Sequence, residues 1–159
     1  MLFSTGVSKP GTPIGEVRAE ALIGGKVVAT HALRAPGVPT HIELHLDDCG
    51  IDLNADGADW IRVYAHICDA RGTTYPHGED EVTFAISGEG IVMGDSAIGA
   101  NPMRAEAGIA TALIQASATP GRITVQASAF GLKPAILEFE SRASLKNELQ
   151  WKGLSYEAH

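Results

Sequence analysis

The sequence of 159 residues is poor in cysteine, with only Cys49 and Cys68. Two cysteines cannot build a disulfide framework, and neither a CxxC pair nor a Cys/His cluster offers the spacing of metal ligands. We therefore predict two free thiols and no metal site built on the cysteines. Clusters of Lys and Arg are equally lacking, since 12 basic residues stand against 19 acidic ones and the formal net charge is -7. Such a chain would repel a phosphate backbone, which excludes nucleic acid as a partner.

Long apolar runs are also missing. The longest ones, such as AGIATALIQA, fall well short of the ~20 residues that cross a bilayer, so we expect no membrane span. The opening residues, MLFSTGVSKPGTP, lack the basic start and the apolar block of a secretory signal. From these residues we expect either a cytoplasmic protein or a piece cut from a longer one.

What the sequence does contain is alternation with period two, the pattern of half-buried strands. The residues predicted to face inward are Ile42, Leu44 and Leu46; Ile61, Val63, Ala65 and Ile67; Val82, Phe84 and Ile86; Ile123, Val125, Ala127 and Ala129; and Ala135, Leu137 and Phe139. Two further segments, IVMG and IATALIQAS, are also predicted as strands, although the second shows no clear side. Turns rich in Gly and Pro separate the segments. The pattern predicts an all-β protein, an immunoglobulin-like antiparallel β-sandwich of about seven strands over residues 38–142.

The residues on either side of the predicted sandwich follow other patterns. Residues 14–37 predict a β-hairpin that turns at Gly24 and Gly25 and ends in a stiff Pro-containing linker. Residues 1–13 are predicted to be a disordered leader, and residues 143–159 a tail without a firm assignment. An isolated hairpin is marginally stable in water. We therefore expect its partner strands to come from the sandwich or from another part of a longer protein.

The stretch DLNADGADW raises the question of a calcium site, because Asp52, Asn54 and Asp56 are spaced as in the opening of an EF-hand loop. Such a loop needs a bidentate carboxylate at its twelfth position and a helix on each side. The twelfth position here is Val63, and a predicted strand follows. The same residue types also suit a tight bend between strands, with Gly57 free of side-chain clashes. We favour the turn and keep calcium as the weaker alternative.

Four motifs in sequence order carry a resemblance to a known family. They are the ADGAD turn, the strand and turn VYAHICDARG, the segment VTFAISGEG, and the closing GRITVQASAFGL. Residues 14–141 resemble the bacterial immunoglobulin-like domain at the C-terminal end of family 2 glycoside hydrolases of the β-galactosidase type. The hairpin resembles the last strands of the domain that precedes it in those enzymes. Cys68 and Trp60 depart from the residues usual at their positions.

The resemblance implies a non-catalytic accessory domain that serves as a spacer and packing surface. The two catalytic glutamates of such enzymes are expected on a β/α barrel, which needs roughly 250 residues and lies outside this chain. No cofactor is implied, the other domains of the parent hydrolase are the expected partners, and the family suggests a periplasmic or extracellular location. The acidic run Glu79–Glu81 alternates across a strand and is interpreted as solvated, so no catalytic residue is assigned.

Aromatic residues offer an alternative function. Trp60, Tyr64 and His66 are predicted to share a strand face, with Tyr75 in the next loop. A row of rings on a flat sheet could stack on sugars, as in a carbohydrate-binding module, or could instead pack on a neighbouring domain. A third possibility is one repeat of a bacterial surface adhesin. The six histidines provide no metal site, since His41 and His45 are separated by about 13 Å along one strand.

Overall fold

The computed structural model describes residues 2–5, 15–95 and 97–143, where the regular elements are β-strands. The twelve strands are β1 (Leu2–Thr5), β2 (Glu16–Ile23), β3 (Lys26–Arg34), β4 (Pro39–Asp47), β5 (Asn54–Ala55), β6 (Trp60–Asp69), β7 (Glu81–Gly88), β8 (Gly90–Gly94), β9 (Met103–Arg104), β10 (Ile109–Ala116), β11 (Gly121–Ser128) and β12 (Ala135–Ala143). In this part of the chain we find no helix long and apolar enough to traverse a lipid bilayer. Most of the predicted tail lies outside the described residues.

The first three strands form a separate antiparallel sheet, which we call the hairpin sheet, in the order β1-β2-β3. Strands β2 and β3 meet at Gly24 and Gly25, whose φ angles of 58° and 77° are readily adopted by glycine. Strand β1 pairs with the edge of β2 that does not pair with β3. It falls within residues 1–13, for which the sequence predicts a disordered leader, and it supplies a third strand that the sequence analysis did not anticipate.

The remaining strands form two sheets, as predicted for an immunoglobulin-like β-sandwich. The four-stranded sheet has the order β4-β6-β10-β8, and the five-stranded sheet has the order β5-β12-β11-β7-β9. The seven longer strands are the seven that alternation predicts. Strands β5 and β9 contain two residues each and extend the edges of the five-stranded sheet. All pairings are antiparallel except that of β5 with β12.

The core lies between these two sheets and is built from the residues that alternation predicts to face inward. Phe84 is the largest of the fully buried side chains and is surrounded by Ile, Val and Ala from both layers. Strand β10, whose side was undetermined, turns Ala110, Ala112, Ile114 and Ala116 inward. The small alanines allow the two layers to approach closely around the larger side chains.

The chain enters and leaves the sandwich at opposite ends. At the entry, which we call the linker end, the Lys133 N–H donates to the Thr40 carbonyl at 3.0 Å, so β4 and β12 begin side by side. At the other, the exit end, the Arg142 N–H donates to the Leu53 carbonyl at 2.8 Å, in the loop that follows β4. The eight steps of β4 at about 3.4 Å each separate the two ends by about 27 Å.

Candidate functional site

The four aromatic residues singled out in the sequence do not form one surface. Trp60, Tyr64 and His66 lie on the outer face of β6, because the residues between them point into the core. Tyr75 packs instead against the core, with its ring 5.7 Å from that of His77. The structure therefore brings together three of the four predicted sugar contacts and separates Tyr75 from them.

Within this row, Tyr64 and His66 are tied to their neighbours rather than presented as a flat platform. Their ring planes stand at 88° to each other, with centroids 6.5 Å apart. Tyr64 donates its hydroxyl proton to Asp47 at 3.3 Å, and His66 Nδ1 lies 3.0 Å from the Thr74 hydroxyl. Burial and the nearby His45 lower the pKa of His66. Perpendicular, hydrogen-bonded rings do not offer one stacking plane for a sugar.

Trp60 differs from the other two because it is 51% exposed and borders a pocket at the exit end. The pocket has a volume of about 260 Å³. Asp47 and Arg62, which the pairing of β4 with β6 places opposite each other, both line it. The charged and aromatic lining residues are Asp47, Asp48, Asp52, Asp59, Trp60 and Arg62. Apart from Trp60 and Asp52, sequence reasoning missed this set, because the loop and the strand meet only through sheet pairing.

The candidate calcium residues adopt the geometry of a turn. Asp56 Oδ1 accepts hydrogen bonds from the backbone N–H groups two and three residues further on, at 2.8 and 2.7 Å. Asp59 Oδ2 accepts from the backbone and side-chain N–H groups of Asn54, at 2.9 and 3.0 Å. Asp52 forms an ion pair with Arg142. In the described ranges no three His, Cys, Asp or Glu side chains are grouped so as to hold a metal ion.

A buried carboxylate at the linker end was not found by sequence reasoning. Asp69 is 3% exposed and accepts backbone hydrogen bonds from Gly37 at 2.7 Å, Arg71 at 2.9 Å and Thr73 at 3.0 Å. These bonds, that from Gly37 first, lower the pKa of Asp69 to about 2. The carboxylate therefore ties the linker that follows the hairpin to the last residues of β6.

Both cysteines are free thiols, which confirms the prediction from their number. Cys49 is exposed at the exit end, and a hydrogen bond to Asp47 raises the pKa of its thiol. Cys68 is buried, and burial raises its thiol pKa. Neither thiol is activated as a nucleophile, because activation requires a lowered pKa.

Comparison with known proteins agrees with the sandwich geometry. Residues 42–138 match the family described as "Glycoside hydrolase family 2 C-terminal domain 5". The chain belongs to this family. The matched residues include strands from β4 to β12 and therefore cover most of both sandwich sheets. The hairpin sheet precedes the matched part of this C-terminal domain 5.

Curated relatives carry the same kind of sequence within much longer proteins. The chain is 36% identical over 132 residues to a beta-galactosidase of Thermoanaerobacter pseudethanolicus, a match that covers 83% of this chain and 16% of that protein. It is 29% identical over 137 residues to the beta-galactosidase BoGH2A of Bacteroides ovatus, covering 80% of this chain and 16% of that protein. The matched part of the chain thus spans about one sixth of the length of these relatives.

A solved structure shares the fold of this C-terminal domain 5. A glycosyl hydrolase family 2 member from Bacteroides cellulosilyticus superposes with a TM-score of 0.70 at 24% identity. The superposition covers 80% of this chain and 17% of that one. The sandwich therefore occurs as a minor part of a large family 2 hydrolase.

Proposed function

We propose that this chain is a non-catalytic accessory part of a β-galactosidase-like hydrolase, acting as a spacer and as a packing surface for the other domains. The beta-galactosidases that it resembles are about five times as long as this chain, which leaves ample room for a catalytic barrel outside it. The periplasmic or extracellular location suggested by the family resemblance stays a prediction.

The observation that carries the spacer role is the position of the entry and the exit. The chain enters the sandwich beside Lys133 and leaves it beside Leu53, at the two ends of the strands. A domain connected in this way sets its neighbours apart by its own length, about 27 Å along β4. A domain with both connections at one end would not separate its neighbours in this way.

The Asp69 carboxylate supports a spacer in which the linker is held in a fixed position against the sandwich. Its bond to Gly37 immobilises the linker against the sandwich at the point where the hairpin sheet departs. Because Asp69 is buried and its pKa is about 2, this anion persists over the physiological pH range. Charge-assisted hydrogen bonds of this kind are about twice as strong as neutral ones.

Exposed apolar residues at the linker end support the packing role. Val38 is 82% exposed and Phe130 is 99% exposed. Val38 lies in the linker, and Phe130 lies in the loop whose Lys133 bonds to the first residues of β4. A further domain packed against the linker end would cover both side chains.

The acidic residues at the linker end offer no catalytic pair. Glu79 is engaged in an exposed ion pair with Arg104, and the backbone carbonyl of Asp80 accepts a hydrogen bond from Ala105 at 2.9 Å. Glycoside hydrolysis needs two carboxyl groups that flank one sugar bond in a cleft. We therefore assign the bond cleavage to the barrel of the parent protein.

Two experiments test the proposal. The purified chain should give no turnover of a chromogenic β-galactoside, and measurable hydrolysis that persists in independent preparations would refute the non-catalytic assignment. The spacer role is tested with spin labels on the exposed Cys49 and on Lys26→Cys, at the exposed first residue of β3. We expect a single narrow distance distribution from pulsed electron resonance.

The matched variants for the distance experiment are Asp69→Ala and Asp80→Ala. The first removes the bond to Gly37 and should broaden the distribution. The second removes an exposed carboxylate of the same end and should leave the distribution narrow. An equally broad distribution in the wild-type chain would show that the linker is not fixed.

A further inference from the structure

The pocket beside Trp60 at the exit end has the size of a site for a single ring. Its volume of about 260 Å³ lies just below the ~300–1,000 Å³ typical of pockets for drug-sized ligands. One wall is the half-exposed indole of Trp60, and apolar surface is added by Ile51 and Leu53. An aromatic wall of this kind stacks on the flat apolar face of a sugar ring.

The polar part of the lining consists of carboxylates that can accept further hydrogen bonds. Asp48 accepts a hydrogen bond from the Gly50 N–H at 2.8 Å, and Asp52 accepts from the Arg142 guanidinium. A carboxylate offers about four acceptor positions, so both groups can take further donors. The hydroxyl groups of a sugar supply such donors around the edge of the ring.

Arg62 provides a second polar group at this pocket. Its Nη1 donates to the Tyr64 hydroxyl at 3.3 Å. Its Nε is buried, and it is the one buried side-chain polar atom of the described ranges that has no hydrogen-bond partner. A buried donor without a protein partner is an exception among folded proteins.

The charge of the lining selects among sugars. Four carboxylates line the pocket together with Arg62, and Arg142 pairs with Asp52, so carboxylates outnumber guanidinium groups four to two and the pocket is negative overall. A negative field disfavours an anionic ligand, and it does so more strongly in a partly enclosed site than in open solvent. A uronic acid would bring a fifth carboxylate into this field, whereas a neutral pyranose would not.

We infer that the Trp60 pocket is a binding subsite for one neutral pyranose ring, which stacks on the indole and donates hydroxyl protons to Asp48 and Asp52. The choice of a galactoside as the first ligand rests on the proposed function, since the geometry itself requires only a neutral pyranose. With so few atoms buried, the dissociation constant is expected to be on the order of 1 mM.

The experiment is a titration of the full chain with methyl β-galactoside, methyl β-glucoside and methyl β-glucuronide. Trp151→Phe leaves Trp60 as the single tryptophan, so its fluorescence reports on the pocket alone. We expect saturable quenching by at least one neutral glycoside and binding at least ten-fold weaker for the glucuronide. Binding of the galactoside in preference to the glucoside would bear on the proposed parent enzyme, and binding of either supports the pocket.

Variants separate stacking from charge. Trp60→Ala, followed by ligand-detected magnetic resonance, should lose binding, whereas Phe130→Ala, which removes a fully exposed ring outside the pocket, should keep it. Replacing Asp48 and Asp52 together by asparagine should bring the glucuronide to within about three-fold of the neutral glycosides, because the repulsion is reduced. Circular dichroism verifies that each variant is folded, and Trp60→Phe serves if the alanine variant is not.

Several results would overturn the inference. One is the absence of saturable binding by both neutral glycosides up to 50-fold above the expected constant. Another is equal binding of the glucuronide by the unaltered chain. A third is saturable binding of tetramethylammonium without any sugar binding, which would make the pocket a site for organic cations.

Discussion

The hairpin sheet and the sandwich are built from the same alternating pattern but differ in what that pattern achieves. In the sandwich, inward residues of β6 and β11 such as Val63 and Val125 are fully buried. In the hairpin sheet, every residue of β3 is exposed, and Leu33 reaches 65% exposure. Alternation therefore specifies a sheet with two faces, whereas burial requires a second layer of complementary shape.

We therefore expect the sandwich to provide most of the stability of the chain. The hairpin sheet has a face with Val17, Ala19 and Ala21 on β2 and Leu33 opposite Val17 on β3. Its other face carries the ion pairs of Arg18 with Glu20 and of Arg34 with Glu16. Exposed ion pairs contribute little, with a median of about 0–1 kcal/mol each. The following predictions test this division in order of decreasing effect.

The largest effect is expected in the core. Phe84→Ala removes the largest of the fully buried side chains and leaves a cavity between the two sheets. We expect the free energy of unfolding to fall by about 3–5 kcal/mol. Urea denaturation followed by circular dichroism measures this change, and a loss below about 1 kcal/mol would mean that the layers are loosely packed.

The next effect concerns a side chain that forms the hydrogen bonds a neighbouring strand would otherwise form. Asn101 accepts the Phe84 N–H at 3.0 Å and donates to the Phe84 carbonyl at 2.7 Å, so it continues the hydrogen bonding of β7. Asn101→Ala should cost about 1–3 kcal/mol, because the N–H and the carbonyl of Phe84 lose their partners. Asn101→Asp keeps the acceptor for the Phe84 N–H but sets a carboxylate oxygen against the Phe84 carbonyl, so it should also destabilise the fold. Equal stabilities of both variants and the wild type would contradict this role.

A third prediction concerns the junction between the two regions. The folded pKa of Asp69 is about 2, below its ordinary 3.8, so its stabilising effect is complete above about pH 4 and is lost as the pH falls through 2. The difference in stability between the wild type and Asp69→Asn should therefore shrink over this range. Hydrogen exchange at the Gly37 amide should accelerate in the same range, and a rate independent of pH after correction for intrinsic exchange would refute the clamp.

The smallest effect is expected in the hairpin sheet. Leu33→Ala truncates a side chain of about the same apolar character as those of the core, yet one that is largely exposed. We expect a change within about 0.5 kcal/mol, as for surface substitutions in general. The same urea experiment applies, with Phe84→Ala as the reference. A loss comparable to that of Phe84→Ala would mean that the hairpin face is covered in solution.

The seven longer strands of the sandwich could be predicted from their apolar segments and the turns between them. The inward side could be predicted for five of them, because these five alternate over enough residues to show their period. Strands β5 and β9 were missed, since two residues cannot display a period. The SGEG turn could be predicted because Gly88 has a φ of 93°, and a side chain there would lie 2.1 Å from the Arg122 carbonyl oxygen. A backbone position with a positive φ and no room for a side chain requires glycine, so it can be recognised in the sequence.

The candidate sites were predicted less well for a physical reason. The role of Asp69 depends on Gly37, 32 residues away, and no local pattern encodes that partner. The pocket likewise arises where β4 and β6 bring Asp47 opposite Arg62. Tyr75 was grouped with Trp60 because a ring in a loop has no alternation to indicate its side, and the fold turns it toward the core.

The entry and exit at opposite ends have a mechanical consequence. Tension applied through the linker before Pro39 and through Ala143 acts along the strands, whose hydrogen bonds run across that direction. Strand β4 can slide out only if its row of bonds to β6 breaks together rather than one after another. We expect single-molecule stretching between these two points to meet higher rupture forces than stretching across the sheets.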